Sequence, residues 1–512
     1  MKKFNSRNLF NLSHERKLSC DMGKLIPILV EEVVPGDSFR VSTDMVVRLA
    51  PMLAPVMHNI DVFTHYFFVP NRLIFDDWES FITGGEEGTD ATVHPTITTT
   101  AQNNATGSLL DYMDVPSGIA GLSVNALPVR AYNLIYNEWY RDENLQDKVA
   151  LSTAAGPDAV SNTSVLRRAW EHDFFTSALP FQQRGNPVNL PLGGVAPVVI
   201  GQHYIPTGVE DVPQTGTWFA VHAHMINNQS NVLAGYSNAD GVPILLPRDS
   251  TYNLKTDLSE ATAASVNDLR NAFQVQRWLE KNARSGVRYV ESILSHFGVR
   301  SSDARLQRPE YLGGGRSPIM ISEVLQTSAT ASSGNETPQG NMVGHGFTTQ
   351  RTHQFKKFFE EHGFVIGILS VMPKTTYQQG LRKMWTRTSR YDYYWPVFSH
   401  LGEQAIYNKE IYAQGTDADT GIFGYQPRYQ EYRRRYSSVH GDFKTTLDYW
   451  HLGRIFNALP ALNAQFIECV PDDRIFAVQD RNTDRIWVDL YNHVKAIRPI
   501  PKYGEPGYID HD

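Results

Sequence analysis

Residues Phe39 to Leu49 divide into two chemically opposed sets. Phe39, Val41, Thr43, Met45, Val47 and Leu49 fall on one side, and Arg40, Ser42, Asp44 and Arg48 on the other. Side chains alternate across a pleated strand, so this spacing buries one face and leaves the other largely polar. Two further strand candidates flank it, Lys24–Val34 and Asn59–Val69, each apolar on both sides. Pro35-Gly36-Asp37 and the prolines Pro51 and Pro55 punctuate the three. Closely spaced strands of this kind predict a mainly β protein, a layered sandwich or barrel.

The chain is 512 residues long, more than one hydrophobic core organises without elaboration. Two or three domains are expected, or one β core with large insertions. Charged residues make up 20%, below the usual quarter, which suits a chain that hides surface against partners. Two cysteines, Cys20 and Cys469, cannot supply a disulfide framework. The start is basic but lacks an apolar run of secretory length. The longest apolar stretch, Phe364–Met372, is far short of a bilayer span. A soluble protein is expected. Its net charge of −7 is uneven: Lys2, Lys3, Arg7, Arg16, Lys17 and Lys24 crowd the amino terminus, and Arg433, Arg434 and Arg435 form a second cluster. That asymmetry predicts one basic surface on an acidic body.

Along the chain, Asp76-Asp77-Trp78-Glu79 predicts a short helix ending near Gly84-Gly85. Residues Gly85–Val124 read as exposed loop. Pro128 opens a helix with Ala131, Leu134, Ile135 and Trp139 on one face, closed by Asp142–Leu151. Val195–Ser250 reads as an insertion of loops and short strands into a host fold. Ser265-Val266-Asn267-Asp268 starts a helical stretch broken near Gly286. A second helix carries Tyr289, Val290, Ile293, Leu294 and Phe297 on one face and ends at Gly298. Thr327–Gly346 is polar loop, after which strands are expected at Gly363–Val371, Gln465–Val470 and Arg474–Gln479.

No catalytic signature has comparable strength. His222-Ala223-His224 offers two imidazoles without a third ligand at a recognisable spacing, so no metal is expected. Gly313-Gly314-Gly315-Arg316 lacks the Lys-Ser/Thr ending of a phosphate loop and reads as a turn. Asp472-Asp473 and Asp480/Asp484 read as solvated turns between strands. No G-x-S-x-G, H-E-x-x-H or Cys–His signature is present. The expectation is a protein that builds or binds and needs no cofactor. Tyr425–Tyr436 interleaves phenol rings with guanidinium groups. Such a segment suits single-stranded nucleic acid, whose bases stack on rings while Arg meets phosphate. It equally suits a protein interface, since Tyr and Arg dominate hot spots.

Five long segments together carry a resemblance. LPVRAYNLIYNEW (Leu127–Trp139), Arg308–Ser328, His362–Trp385, Tyr393–Tyr412 and Gly421–Ser437 resemble, in order, the major capsid proteins of microviruses. These are small icosahedral single-stranded DNA bacteriophages, and the likeness is greatest to the gokushovirus branch. The resemblance implies an eight-stranded viral jelly roll with helices and long loop insertions. Residues 1–23 would form a basic arm, 24–194 and 251–512 the core, and 195–250 a threefold protrusion. It further implies a T=1 shell with pentameric contacts around circular DNA, assembled in the bacterial cytoplasm and found in the virion. A small basic DNA-condensing protein, a DNA pilot protein and a host receptor would be partners. On this reading Lys2, Lys3, Arg7, Arg16, Lys17 and Arg433–Arg435 line the interior. Trp218, Phe219, His222 and His224 sit at a host-contact tip, and Tyr391, Tyr393, Tyr394, Trp395, Tyr407 and Tyr412 join subunits. A secreted or surface glycan-binding β-sandwich is the alternative; the missing signal sequence and absent carboxylate pairing count against it.

Overall fold

Two packed sheets, the smaller covered by a helix, form the body of the computed structural model. It describes residues 7–502 except 88, 187, 189–197, 201–231, 238–242, 248–253, 257–265, 286–287, 326–329, 333–334, 338–341, 352–353, 479 and 481–482. Eleven strands build two sheets: β1 (Asn8–Asn11), β2 (His14–Cys20), β3 (Ile26–Val33), β4 (Ser38–Leu49), β5 (Ile60–Pro70), β6 (Glu310–Pro318), β7 (Met320–Leu325), β8 (Met342–Arg351), β9 (Phe355–Phe358), β10 (Gly363–Pro373) and β11 (Ile486–Arg498). The seven-stranded sheet runs β1-β11-β4-β8-β7, with β2 also on β11 and β9 also on β4. The four-stranded sheet runs β6-β5-β10-β3. All of these pairings are antiparallel.

β4 behaves as its two faces dictate. Phe39, Val41, Met45, Val47 and Leu49 are buried between the sheets, while Arg40 and Arg48 are exposed. Opposite them lie Ile26, Ile28, Ile60, Val62, Leu369 and Val371 of the smaller sheet. That sheet is covered on its other face too. Of the helices α1 (Trp78–Thr83), α2 (Leu109–Tyr112) and α3 (Leu127–Ile135), the last packs Val129, Ala131, Tyr132 and Ile135 on Phe67, Val69, Ile366 and Ile368. Burial on both faces is why β3 and β5 read as apolar on each side. Apart from His65, every residue of β5 and β10 is buried.

A polar chain ties the two sheets together. Thr43 Oγ1 on β4 lies 2.5 Å from Tyr66 Oη on β5 and donates to Asn492 Oδ1 on β11 at 2.7 Å. Asn492 Nδ2 in turn donates to the Ile28 carbonyl on β3 at 2.9 Å. Inside the sandwich these groups satisfy one another, as buried polar groups must.

The structure departs from the sequence reading at several places. The segment expected as a basic arm is strand from Asn8 onward, because β1 and β2 both pair with β11. Gly85–Val124 is not wholly exposed: Ile97, Leu109, Leu110 and Tyr112 are buried. The helix from Leu127 ends in a π-turn at Tyr136–Tyr140, where Arg141 turns extended, so Asp142–Leu151 does not close it. Gly313–Gly315 is strand, since Gly314 lies against the Thr64 carbonyl and a Cβ there would sit 2.2 Å from that oxygen. Within Thr327–Gly346, Thr330–Ser332 pairs with Asn335–Thr337 and Met342 starts β8. Gln465–Val470 is not a strand; Asn463 caps a helical turn at Ala464–Ile467 by accepting from Phe466 N–H at 3.0 Å. Within Arg474–Gln479 the described residues 474–478 are turn and loop, residue 479 lying outside the description, and the strand near this end of the chain is β11. The helices expected before and after Gly286 are α4 (Val266–Ser285) and α5 (Tyr289–Phe297), with Gly298 left-handed after the second.

The protein divides into one compact unit of Met1–Gly185 with Leu279–Asp512 and a second of Asn186–Trp278. In the second, Val198–Ile200 pairs with Leu254–Thr256 and Val232–Ser237 with Pro243–Pro247.

Candidate functional site

Two sequence candidates far apart in the chain meet on one surface. Tyr429 is the junction. It adopts a left-handed backbone (φ 63°) at the start of the helical turn Gln430–Arg433, and its ring is 2% exposed. Tyr429 Oη donates to the Tyr393 carbonyl and accepts the Trp395 N–H, each at 3.2 Å. Its own N–H donates to Gln404 Oε1 at 3.1 Å. Gln404 Nε2 donates to Glu431 at 2.7 Å, and Glu431 also accepts from Arg387 at 3.2 Å. Buried partners of this kind fix the backbone on which the outer rings stand.

Those outer rings are half exposed or more. Tyr391, Tyr393, Tyr394, Trp395 and Tyr432 all lie near 50% and Trp385 reaches 70%. Tyr394 packs edge-on against Tyr429 (5.0 Å) and Tyr432 (6.1 Å). The Arg387 guanidinium covers Tyr432 at 4.5 Å, Arg390 covers Tyr391 at 4.9 Å, and Arg428 covers Tyr429 at 4.9 Å. A cation over a ring face is worth about 0.5–1 kcal/mol in such exposed settings. Arg433, Arg434 and Arg435 are exposed beside them, and none has a carboxylate within 4.0 Å among the described residues. Arg434 is held by the Asp173 carbonyl and Ser177 Oγ. Trp385, Arg387 and Arg390 were missed in the sequence, although the interleaving of Arg with aromatics already runs from Arg382 to Trp395.

The other candidates are placed differently. Tyr407 is 39% exposed, with Lys383 and Lys409 each 5.8 Å from its ring centre. Its N–H donates to the buried Glu410, whose pKa burial raises against the opposing pull of Lys383. Tyr412 is half-buried against the core around Phe175 and Ile411. Arg16 donates to the Tyr112 carbonyl and to Asp114, and Lys17 pairs with Glu15 and Asp489. Arg7 is exposed over Phe358. Lys2, Lys3, Trp218, Phe219, His222 and His224 lie outside the described residues. Among the described residues no cluster of three His, Cys, Asp or Glu could hold a metal.

A β-sandwich with an arginine–aromatic face suits a protein whose work is contact. Residues 2–508 match the family described as Capsid protein (F protein). This chain belongs to that phage capsid family. It is 42% identical to capsid protein VP1 of Bdellovibrio phage phiMH2K and 39% identical to capsid protein VP1 of Chlamydia phage 1. Each alignment covers 98% of this chain and 95% of the relative. Capsid protein VP1 of Spiroplasma virus 4 is 32% identical over the same shares. As a capsid protein of gokushovirus type, the chain is a structural component of a virion and acts by assembling into a shell. No helix among the described residues is long and apolar enough to cross a membrane.

Proposed function

We propose that this capsid protein closes a T=1 icosahedral shell, through pentameric and other contacts, around a circular single-stranded DNA genome. The observation that supports it is strand order. Taking β1–β2, β6–β7 and β8–β9 as continued segments reduces the eleven strands to eight. The first pairs with the eighth, the eighth with the third and the third with the sixth. The second pairs with the seventh, the seventh with the fourth and the fourth with the fifth. This order, with β7 also pairing β8, supports reading the sandwich as a viral jelly roll, an architecture suited to shells.

The arginine–aromatic surface faces the enclosed strand in this proposal. Charge favours strand contact over subunit contact for Tyr391, Tyr393, Tyr394 and Trp395. Unpaired Arg433 and Arg435 brought against a second subunit would need acid opposite them, whereas a phosphate backbone supplies it at every step. The small basic protein and the DNA pilot protein would share that interior. The insertion Val195–Ser250 would stand outward and meet the host receptor.

Sedimentation of the purified chain, with electron microscopy of the same sample, tests the shell. Uniform icosahedral particles or pentamers are expected. A monomer that stays unassembled beside the phage's other proteins would overturn the proposal.

A further inference from the structure

A cavity of about 570 Å³ opens where the smaller sheet meets the π-turn after α3. Its size is within the range of about 300–1,000 Å³ typical of small-ligand sites. One wall is aromatic. Phe67, Trp139 and Tyr311 form a triangle with ring centres 5.5–5.7 Å apart. The facing wall is cationic, with Arg141, Arg168 and Arg288 in the lining.

Arg288 is paired with Glu291 and Glu143, whereas Arg141 and Arg168 have no carboxylate within 4.0 Å among the described residues. Arg168 is half-buried, donates to Ser370 Oγ at 3.2 Å and lies 4.3 Å over Phe63. Desolvation by burial pulls its pKa below the ordinary guanidinium value. Arg141 donates from Nη1 to the Gln146 carbonyl, while its buried Nε has no partner. Neither carboxylate of the lining lies within 4.0 Å of Arg141 or Arg168, although Glu171 pairs with Lys374 of the same lining and attracts Arg168 from farther off. Asp142 accepts from the Asn144 and Leu145 N–H groups, and Glu171 also pairs with Arg316. A desolvated cation without a counter-charge is costly, so an anion entering here is stabilised by groups already in place.

We infer that this cavity takes one nucleotide unit, its base against the Trp139–Tyr311 wall and its phosphate on Arg168 and Arg141. The ring wall selects a planar group and the guanidinium wall an anion, and a nucleotide carries both. The unit can come from a free mononucleotide or from the enclosed strand; only the second source rests on the genome reading above.

The test uses unassembled full-length subunits and follows tryptophan fluorescence during titration with dTMP, oligo(dT) and inorganic phosphate. Both nucleotide probes are expected to bind, and Arg168→Gln to weaken each about tenfold or more. Arg141→Gln is the second variant should Arg168→Gln fail to fold. Arg433→Ala is the control, expected to weaken oligo(dT) alone. Binding of dTMP without oligo(dT) would keep the site and assign it to free nucleotide. Oligo(dT) binding that responds to Arg433→Ala but to neither cavity variant would overturn the cavity and leave the genome reading standing. Phosphate binding as tightly as dTMP would overturn the role of the ring wall. No binding by any probe would overturn the inference.

Discussion

Arg130 has no solvent contact, and its guanidinium donates to Asp158 at 2.7 Å, the Ile74 carbonyl at 3.0 Å and the Ala154 carbonyl at 2.9 Å. Burial works against the Asp158 carboxylate, but hydrogen bonds from Ser161 and Arg130 outweigh it and hold its pKa below the ordinary value of 3.8. Stability from this pair is therefore present above pH 3.8 and lost as pH falls through the lower folded value. Arg130→Met strands the carboxylate and should cost about 3–5 kcal/mol, read from denaturant unfolding at neutral pH. A loss under about 1 kcal/mol would mean that Asp158 finds another partner. The pKa of His65 is lowered too, but for a base that disfavours the charged form: burial holds it to about 4, with its Nδ1 2.8 Å from Tyr140 Oη. A lowered histidine pKa favours the neutral ring, so its contribution is full above pH 6.5 and fades between there and pH 4. Thermal unfolding of His65→Gln should show a shallower decline over that window; an unchanged slope would exclude His65 as its source.

Strand β4 was legible because its alternation is broken only by Val46 on the polar face, and β3 and β5 because their double apolar faces anticipate a second covering layer. β11 was not. Its inward row, Ile486, Val488, Leu490, Asn492, Val494 and Ala496, is broken by an asparagine. That residue belongs to the polar chain linking the sheets, which only the assembled sandwich reveals. The glycines of β6 misled for a related reason. Glycine usually marks a turn, yet Gly314 is needed for close approach to the Thr64 carbonyl. Gly314→Val should detach β6 from β5 and leave the chain in the insoluble fraction; soluble, normally melting protein would contradict this. The arginine–aromatic face was half legible: its residue types stood out, but its unity depends on Tyr429, whose left-handed backbone no pattern announced. Arg433→Ala with Arg435→Ala should lower the slope of log affinity for oligo(dT) against log salt by about 0.7 for each phosphate that is no longer neutralised. An identical slope would move these arginines to the subunit interfaces.

Across the whole molecule, the segment Asn186–Trp278 forms a compact unit of its own, apart from the body that holds both sheets. A chain lacking Val195–Ser250 should therefore keep the β core and particle assembly while losing attachment to host cells, measured by adsorption. Particles that adsorb normally would relocate the host-binding surface. The body has a further property that concerns its synthesis. Thr43 and its hydrogen-bond partner Asn492 are 449 positions apart. At a translation rate of about 5–20 residues per second, β4 waits roughly 20–90 s before its neighbour β11 has been made. Throughout that interval the larger sheet lacks the strand that joins β1 and β2 to β4, and β4 exposes an unpaired edge. Loop closure over such a separation also makes the final pairing slow. The larger sheet can thus close only after the ribosome has passed β11.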